Sequence, residues 1–357
     1  MKSSLESKPL SAPGPEAKPR WAPLEPADAR WRHLVQQASG ASLYHSERWL
    51  TLLARAYRLK LWLFTLERDE RPVAGVVFAR SKNPLRRRFV ALPFSDYCPP
   101  LSVEAGAEAE LLLQASAAPQ RATASWEVRG AAPPAPWDVV RCFASWRLEL
   151  EGPFAELGKG VAGNFRRDAR RAEREGTTVV RAGSRRELAR FYTLHLATRR
   201  RLGLPAQPWR FFEELHRIFA PAGALETWLA RQRGEDVAGA VFLRDRADVY
   251  YKWSARAARC PKGASHLILL SALAEFAGRP GRLDLGRTDT RNQGLARFKN
   301  HLGAVAVPLP YAYLPGRPGS VSAENPGAAG RLLTALWRRL PAAATRLLGG
   351  AIYPYLA

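Results

Sequence analysis

An eight-residue run occurs twice in the chain. VAGVVFAR spans 73–80 and VAGAVFLR spans 237–244, and the two differ at two positions of eight. Each follows a strand-like segment and a charged turn, LFTLERDERP before the first copy and TWLARQRGED before the second. A strand, a polar turn and an apolar strand repeated in both halves point to duplication of one α/β module. The 357 residues are enough for two domains of ordinary size.

The rest of the chain fits that division. Residues 1–28 are rich in Pro, Ser, Ala and charge, and are expected to be a disordered tail. Helices are expected from about Ala27 and from Ser46, an N-cap for ERWLTLLARAYR that places Trp49, Leu50, Leu53 and Ala56 on one face. Strands at about 61–67 and 73–80 come next, then a strand RRFVALPF that runs into DYCPP. The helix AEAELLLQASA and the strands ATASWEVRG and RCFASWRLEL close a first module over 29–152. The second module, 153–315, opens with the basic helix NFRRDARRAEREG and the strand TTVVRAG. Helices RRELARFYTLHLATRRRLG and PWRFFEELHRIFA follow, separated by Gly203 and Pro205. After the repeated hairpin come the strand DVYYKWSA, the loop RAARCPKGA, the helix SHLILLSALAEFAG, the strand RLDLGRT, the helix GLARFKNHLG and strands AVAVPLP and YAYLP. In DVYYKWSA, strand alternation puts Tyr251 and Trp253 on one face. A linker is expected at 316–330. The tail 331–357 is amphipathic and basic, with Trp337, Tyr353 and Tyr355, and either lies on an anionic membrane surface or packs over the first module.

Leu283–Ala304, LDLGRTDTRNQGLARFKNHLGA, is the most unusual stretch. RLDL reads as a buried strand that breaks at Gly286 into a polar loop, Arg287–Gln293, before a helix from about Gly294 to Leu302. Ordering seven consecutive polar residues costs conformational entropy that a functional loop would justify; Asn292 or Thr290 can serve as the N-cap.

The formal net charge of +23 points to polyanionic partners: nucleic acid, anionic lipid or phosphorylated substrates. Three cysteines and six histidines show no metal-ligand spacing, so no metal site is expected. No apolar run is long enough to span a bilayer and no secretory leader opens the sequence, which suggests a cytoplasmic protein.

Five blocks, in order, carry a resemblance. They are PFSDYCPP at 93–100, NFRRDARRAEREG at 164–176, FYTLHLATRRRLGLP at 191–205, YYKWSA at 250–255 and DLGRTDTRNQGLARFKNHLGA at 284–304. Over about 29–315 the chain resembles the FemAB-type aminoacyltransferases, built from two tandem modules of the GNAT acyltransferase fold. The resemblance implies an α/β (α+β) architecture in which each module is a mixed, mostly antiparallel sheet flanked by helices. It implies transfer of an amino acid from aminoacyl-tRNA to an amine on a peptidoglycan or related polysaccharide precursor, with no tightly bound cofactor. The partners implied are a phosphate-bearing envelope precursor and charged tRNA; the amphipathic, basic tail 331–357, outside the resemblance, would add peripheral attachment to the inner membrane surface. Nothing in the sequence sets the oligomeric state.

By that resemblance Lys299 matches a lysine beside the acyl carbonyl and Phe298 an aromatic that stacks on the donor's terminal adenine. Adjacent on one helix, the two are expected to face one cleft. Arg199 or Arg200 matches an arginine that grips phosphate. Asp96 matches an acidic residue of the first module facing the shared cleft, where it orients or deprotonates the acceptor amine, with Tyr97 beside it as a substrate-binding candidate. Arg287 and Asn292 would wall the cleft, and Tyr251 is a further substrate-binding candidate. The same fold also supports an alternative donor, acyl-CoA. Its pyrophosphate would sit at the helix N-terminus after CPKGAS, where Lys262 and Gly263 would hold it. A non-enzymatic basic RNA- or membrane-binding protein is the reading of a different class.

Overall fold

The computed structural model describes residues 17–82, 87–118, 124–316 and 327–355. The first half comprises β1 (Lys18–Leu24), α1 (Ala29–Gln37), α2 (Glu47–Tyr57), β2 (Leu61–Arg68), β3 (Arg71–Arg80), β4 (Arg88–Val90), β5 (Leu101–Ser102), α3 (Ala107–Ala117), β6 (Ser125–Arg129) and β7 (Asp138–Glu149). The second comprises α4 (Phe154–Leu157), α5 (Gly163–Arg174), β8 (Thr178–Ala182), α6 (Arg185–Leu202), α7 (Trp209–Phe219), β9 (Leu225–Gln232), β10 (Glu235–Asp245), β11 (Asp248–Arg256), α8 (Ala264–Phe276), β12 (Arg282–Asp289), α9 (Gln293–His301) and β13 (Val305–Leu314). Helices α10 (Gly327–Arg339) and α11 (Ala342–Ile352) end the chain.

All the described strands join one sheet, in the order β1-β2-β3-β4-β6-β13-β7-β12-β11-β10-β9-β8, with β5 on β3. The order is pseudo-symmetric. In each half an antiparallel run (β1 to β4, β8 to β11) is carried on by one parallel neighbour, β6 on β4 and β12 on β11. The final strands are exchanged: β13 pairs with β6 of the first half, and β7 pairs with β12 of the second. The two exchanged strands also pair with each other. Neither half can therefore complete its sheet alone.

The repeated octapeptides are β3 and β10, at equivalent places. Gly75 lies under Leu34 of α1, and Gly239 under Phe191 of α6. A Cβ at either position would come within 2.6 Å and 2.9 Å of those side chains. The repeated glycine thus lets a helix seat closely on the strand. α1, α2, α6 and α7 cover one face of the sheet with a core that includes Trp49, Phe191, Phe211 and Phe212. The other face carries α3 on the first half and α5 with α8 on the second.

Several expectations change. The segment 1–28 is not disordered throughout, because Lys18–Leu24 is an edge strand on β2, its Trp21 stacked 5.6 Å from Trp62 and near Trp126. An edge strand tolerates Pro19 and Pro23; residues 1–16, and 317–326 of the expected linker, lie outside the described residues. RRFVALPF yields only Arg88–Val90, because Leu92 and Phe94 adopt positive φ. AVAVPLP and YAYLP form a single strand with a register shift between Leu309 and Tyr311.

α5 and α8 meet at Gly263, which has φ +94 and sits directly against the backbone of α5; a Cβ there would fall 1.8 Å from the Asp168 carbonyl oxygen. Gly263→Ala is expected to lower stability by roughly 2–4 kcal/mol through backbone strain and steric clash. The check is the urea midpoint at unchanged m-value; a shift equivalent to less than about 0.5 kcal/mol would refute the packing.

Candidate functional site

The site is built around an irregularity in β12. Gly286 has φ +74, and the pairing of β12 with β7 slips between Asp284 and Arg287. Glycine accepts the left-handed conformation without a side-chain penalty. The expected polar loop is consequently shorter than the sequence suggests. Arg287, Thr288 and Asp289 continue the strand, opposite Ser145, Ala144 and Phe143, because each finds a ladder partner on β7. Asn292 then caps α9, its side chain accepting from the Leu295 N–H at 3.0 Å.

The irregularity organises a polar cluster between the halves. Asp284 Oδ1 accepts from the Gly286 N–H at 2.6 Å, and its Oδ2 accepts from the Tyr97 hydroxyl at 2.8 Å. Lys299 is 4% exposed, and its Nζ donates to the carbonyls of Gly286 (2.9 Å) and Arg287 (3.3 Å). The missing side chain at Gly286 also makes room for Asp96, whose Oδ2 would lie 3.2 Å from a Cβ there. That same Oδ2 accepts from the Tyr44 hydroxyl (2.7 Å) and pairs with Lys252 Nζ at 2.9 Å. Tyr311 donates to the Asp96 carbonyl at 2.6 Å and accepts from Arg287 at 2.8 Å. Lys252 lies over the Tyr44 ring, 4.6 Å from its centroid.

These contacts set the charges. Burial opposes ionisation of Asp96, but the charges of Lys252 and Arg287 with hydrogen bonds from Tyr44 and Lys252 outweigh it and hold the carboxyl well below its ordinary range. Burial raises Asp284, only partly offset by hydrogen bonds from Tyr97 and the Gly286 N–H. Burial lowers Lys299 to about 8, although Asp96 and Asp284 favour its charged form. Burial also raises Tyr44 far above its usual value, so it remains a hydroxyl donor.

A second feature lies on the other side of α9. β11 and β12 pair in parallel only at Val249–Leu283 and Tyr250–Asp284. Beside β11, a cleft of about 760 Å³ opens among α6, the 260–263 loop and the first turns of α8 and α9, within the usual size for a small-molecule site. Arg201, Tyr251, Lys262, His266, Asn292 and Phe298 are in its wall, with Gly263 at the start of α8. Two helix N-termini border it, a setting that favours anionic groups.

The sequence-derived candidates therefore divide. Lys299, Asp96 and Arg287 meet in the polar cluster, while Phe298, Asn292, Tyr251, Lys262 and Gly263 line the cleft. Phe298 and Lys299 do not face one cleft: about 100° apart on α9, Phe298 packs on Phe165 and His266 while Lys299 turns into β12. Lys262 pairs with Asp168 at 3.1 Å. Arg199 and Arg200 do not line the cleft. Arg199 Nε donates to the Pro205 carbonyl, and the helical phase brings Arg201 to the wall instead, fixed to the carbonyls of Arg256 and Ala257. Tyr97 is buried, and its hydroxyl donates to Asp284 Oδ2. Tyr251 and Trp253 lie on opposite faces. A bulge leaves Lys252 unpaired between them, so Tyr251 packs toward α8 and Trp253 toward α7. Tyr44, Lys252, Asp284, Tyr311 and His266 belong to the two sites without having been singled out. Only the YYKWSA and DLGRTD blocks pointed toward any of them.

Residues 159–300 match the model of the acetyltransferase (GNAT) domain family. No curated protein matches the sequence. Among solved structures, FemX is similar at 13% identity, covering 82% of this chain and 96% of its own, with a TM-score of 0.59. A tandem GNAT protein from the clavulanic acid biosynthesis pathway is similar at 12% identity, with coverage of 85% and 100% and a TM-score of 0.52. The C-terminal domain of a putative lysylphosphatidylglycerol synthetase from Agrobacterium fabrum is similar at 14% identity, with coverage of 80% and 93% and a TM-score of 0.51.

The buried Lys299 gives a pH test. Its value of about 8 in the folded chain lies below the 10.4 or so of an unfolded lysine, so the unfolded state binds more protons between those values. The penalty of the buried ammonium is present below pH 8 and disappears as pH rises through the unfolded value. Urea unfolding should gain stability from this group between about pH 8 and 10, and Lys299→Met should lose that gain; equal slopes in both proteins would refute it. Residues 159–300 match the GNAT-type acetyltransferase domain family, and the chain that contains them has the fold of the tandem GNAT proteins.

Proposed function

We propose that the protein moves an acyl or aminoacyl group from a phosphate-bearing carrier to an amine on a cell-envelope precursor. The observation that carries this reading is the pairing of two features: a cleft bordered by two helix N-termini, and an ionised Asp96 beside a buried Lys299. The cleft suits the phosphates of acyl-CoA or of the acceptor end of a charged tRNA, with Arg201, Lys262 and the starts of α8 and α9 as anion partners. Phe298 offers an aromatic wall for a flat base.

In this reading the acceptor nitrogen attacks the donor carbonyl carbon. A C–N bond forms, the C–S or C–O bond to the carrier breaks, and the proton lost by the amine leaves with the thiol or hydroxyl. Asp96, a quarter exposed and held ionised, is suited to orient the incoming amine by charge but is too weak a base to carry its proton away. Lys299 engages two of its three N–H donors with backbone carbonyls, leaving one for the developing oxyanion. The envelope setting of the acceptor is supported by the resemblance to FemAB-type enzymes and by the similarity to a putative lysylphosphatidylglycerol synthetase, named for a phospholipid product; the amine is supported by the FemAB resemblance alone, since phosphatidylglycerol offers only hydroxyls.

Native mass spectrometry of the full chain with acetyl-CoA, charged tRNA and amino-bearing nucleotide-sugar precursors would identify donor and acceptor. Tight acetyl-CoA binding with no response to charged tRNA would sink the aminoacyl reading. Once a turnover assay exists, Lys299→Met should lower kcat by about 10²–10³. Wild-type kcat should fall as pH rises through about 8, where the ammonium is lost. Unchanged kcat in that variant would remove Lys299 from the chemistry.

A further inference from the structure

The two C-terminal helices take no part in either site, yet they carry many of the exposed large apolar side chains among the described residues. Leu332, Leu333 and Leu336 of α10 are 63%, 66% and 52% exposed, and Leu347, Leu348 and Ile352 of α11 are 75%, 43% and 39% exposed. Their direction follows from how the hairpin is anchored. Thr334 of α10 packs on Gly203 at the end of α6, and Gly349 of α11 packs on Ala206. At 100° per residue, Leu332, Leu333 and Leu336 fall within about 100° on α10, well away from Thr334. On α11, Leu347 points opposite buried Thr345 and Gly349, while Leu348 lies at the edge of that buried side. Tyr353 fixes the far end by stacking near Tyr57 and Phe94 of the first half. The hairpin is thus held to the body by one side and presents its leucines to solvent on the other.

Charge indicates what covers that face. From Asn325 to the end of the sequence there is no Asp or Glu, and there are four arginines, of which Arg338, Arg339 and Arg346 are exposed. Leucines flanked by unopposed arginines fit an interface that is apolar below and anionic at its rim. No described helix is long and apolar enough to cross a membrane, so such a contact would lie in the plane of the surface. Leu202, 48% exposed in the cleft wall, directly precedes Gly203, which puts the cleft beside the hairpin.

We infer that the α10–α11 face docks on the surface of an anionic phospholipid bilayer, with the cleft held close to that surface. Flotation of the full chain with vesicles tests this. The protein should rise with phosphatidylcholine vesicles containing phosphatidylglycerol, not with phosphatidylcholine alone, and raised salt should weaken the binding. Leu333→Glu with Leu347→Glu should weaken it by about tenfold or more. Arg338→Gln, Arg339→Gln and Arg346→Gln together should weaken it by about a hundredfold. Leu113→Glu, at an exposed leucine on α3, should change nothing. Melting temperatures within a few degrees of wild type would show that the variants fold. Absent flotation, or equal flotation with both vesicle types, overturns the proposal. So does a concentration-dependent dimer in sedimentation velocity that the leucine variants abolish without any vesicle binding, because the face would then belong to a second copy.

Discussion

The positive φ of Gly286 is the constraint on which the candidate site depends. It slips β12 against β7, so the Gly286 and Arg287 carbonyls are available to Lys299. It leaves the backbone bare where Asp96 of the first half approaches the second. It also turns the Gly286 N–H onto Asp284, which in turn holds Tyr97. A side chain at this position would press on Asp96 and strain the strand at once. One conformational requirement thus connects the two halves, fixes the lysine and sets the electrostatics around it.

The exchange of final strands explains why the two halves do not share the work equally. Each half has the same antiparallel run, parallel neighbour and last strand. The second half places α9 between its parallel neighbour and its last strand, and α9 carries Phe298 and Lys299. The first half has only Gly130–Trp137 at that point, with no described helix. Its counterpart to β11 is the three-residue β4. The first half instead contributes Tyr44, Asp96 and Tyr97, which close the polar cluster from outside. Because β7 and β13 are each built into the other half's sheet, that contribution is held in register rather than resting on a loose domain interface.

Much of the element order was legible because hydrophobic period and turn residues are local signals. The hairpins at β2–β3 and β9–β10, the helices from Ser46 and Asn292, and the break at Gly203 all follow from nearest neighbours in the chain. The failures came where a distant strand decided the outcome. Arg287–Asp289 look like loop residues until β7 supplies their partners. Lys18–Leu24 looks too rich in proline to order until β2 offers an edge and Trp62 a stacking surface. The two sides of β11 were misassigned because strand alternation holds only without a bulge, and the extra residue at Lys252 arises from pairing with β10. Arg201 rather than Arg199 reaches the cleft because helical phase relative to β11 is a tertiary quantity.

The sequence by itself determined that the chain repeats one α/β module and that residues 283–304 hold an unusual run of polar groups; Asp96, Phe298 and Lys299 stood out through the family resemblance. The repeat and the polar run are statements about residue type and local period, which the chain carries in linear form. Only the tertiary structure decided that Phe298 and Lys299 face different sides of α9 and that Asp96 pairs with Lys252. The same holds for the lowering of Lys299 toward neutrality. Proton affinity depends on burial and on charges that meet only after the exchanged strands are paired, and no linear pattern encodes either.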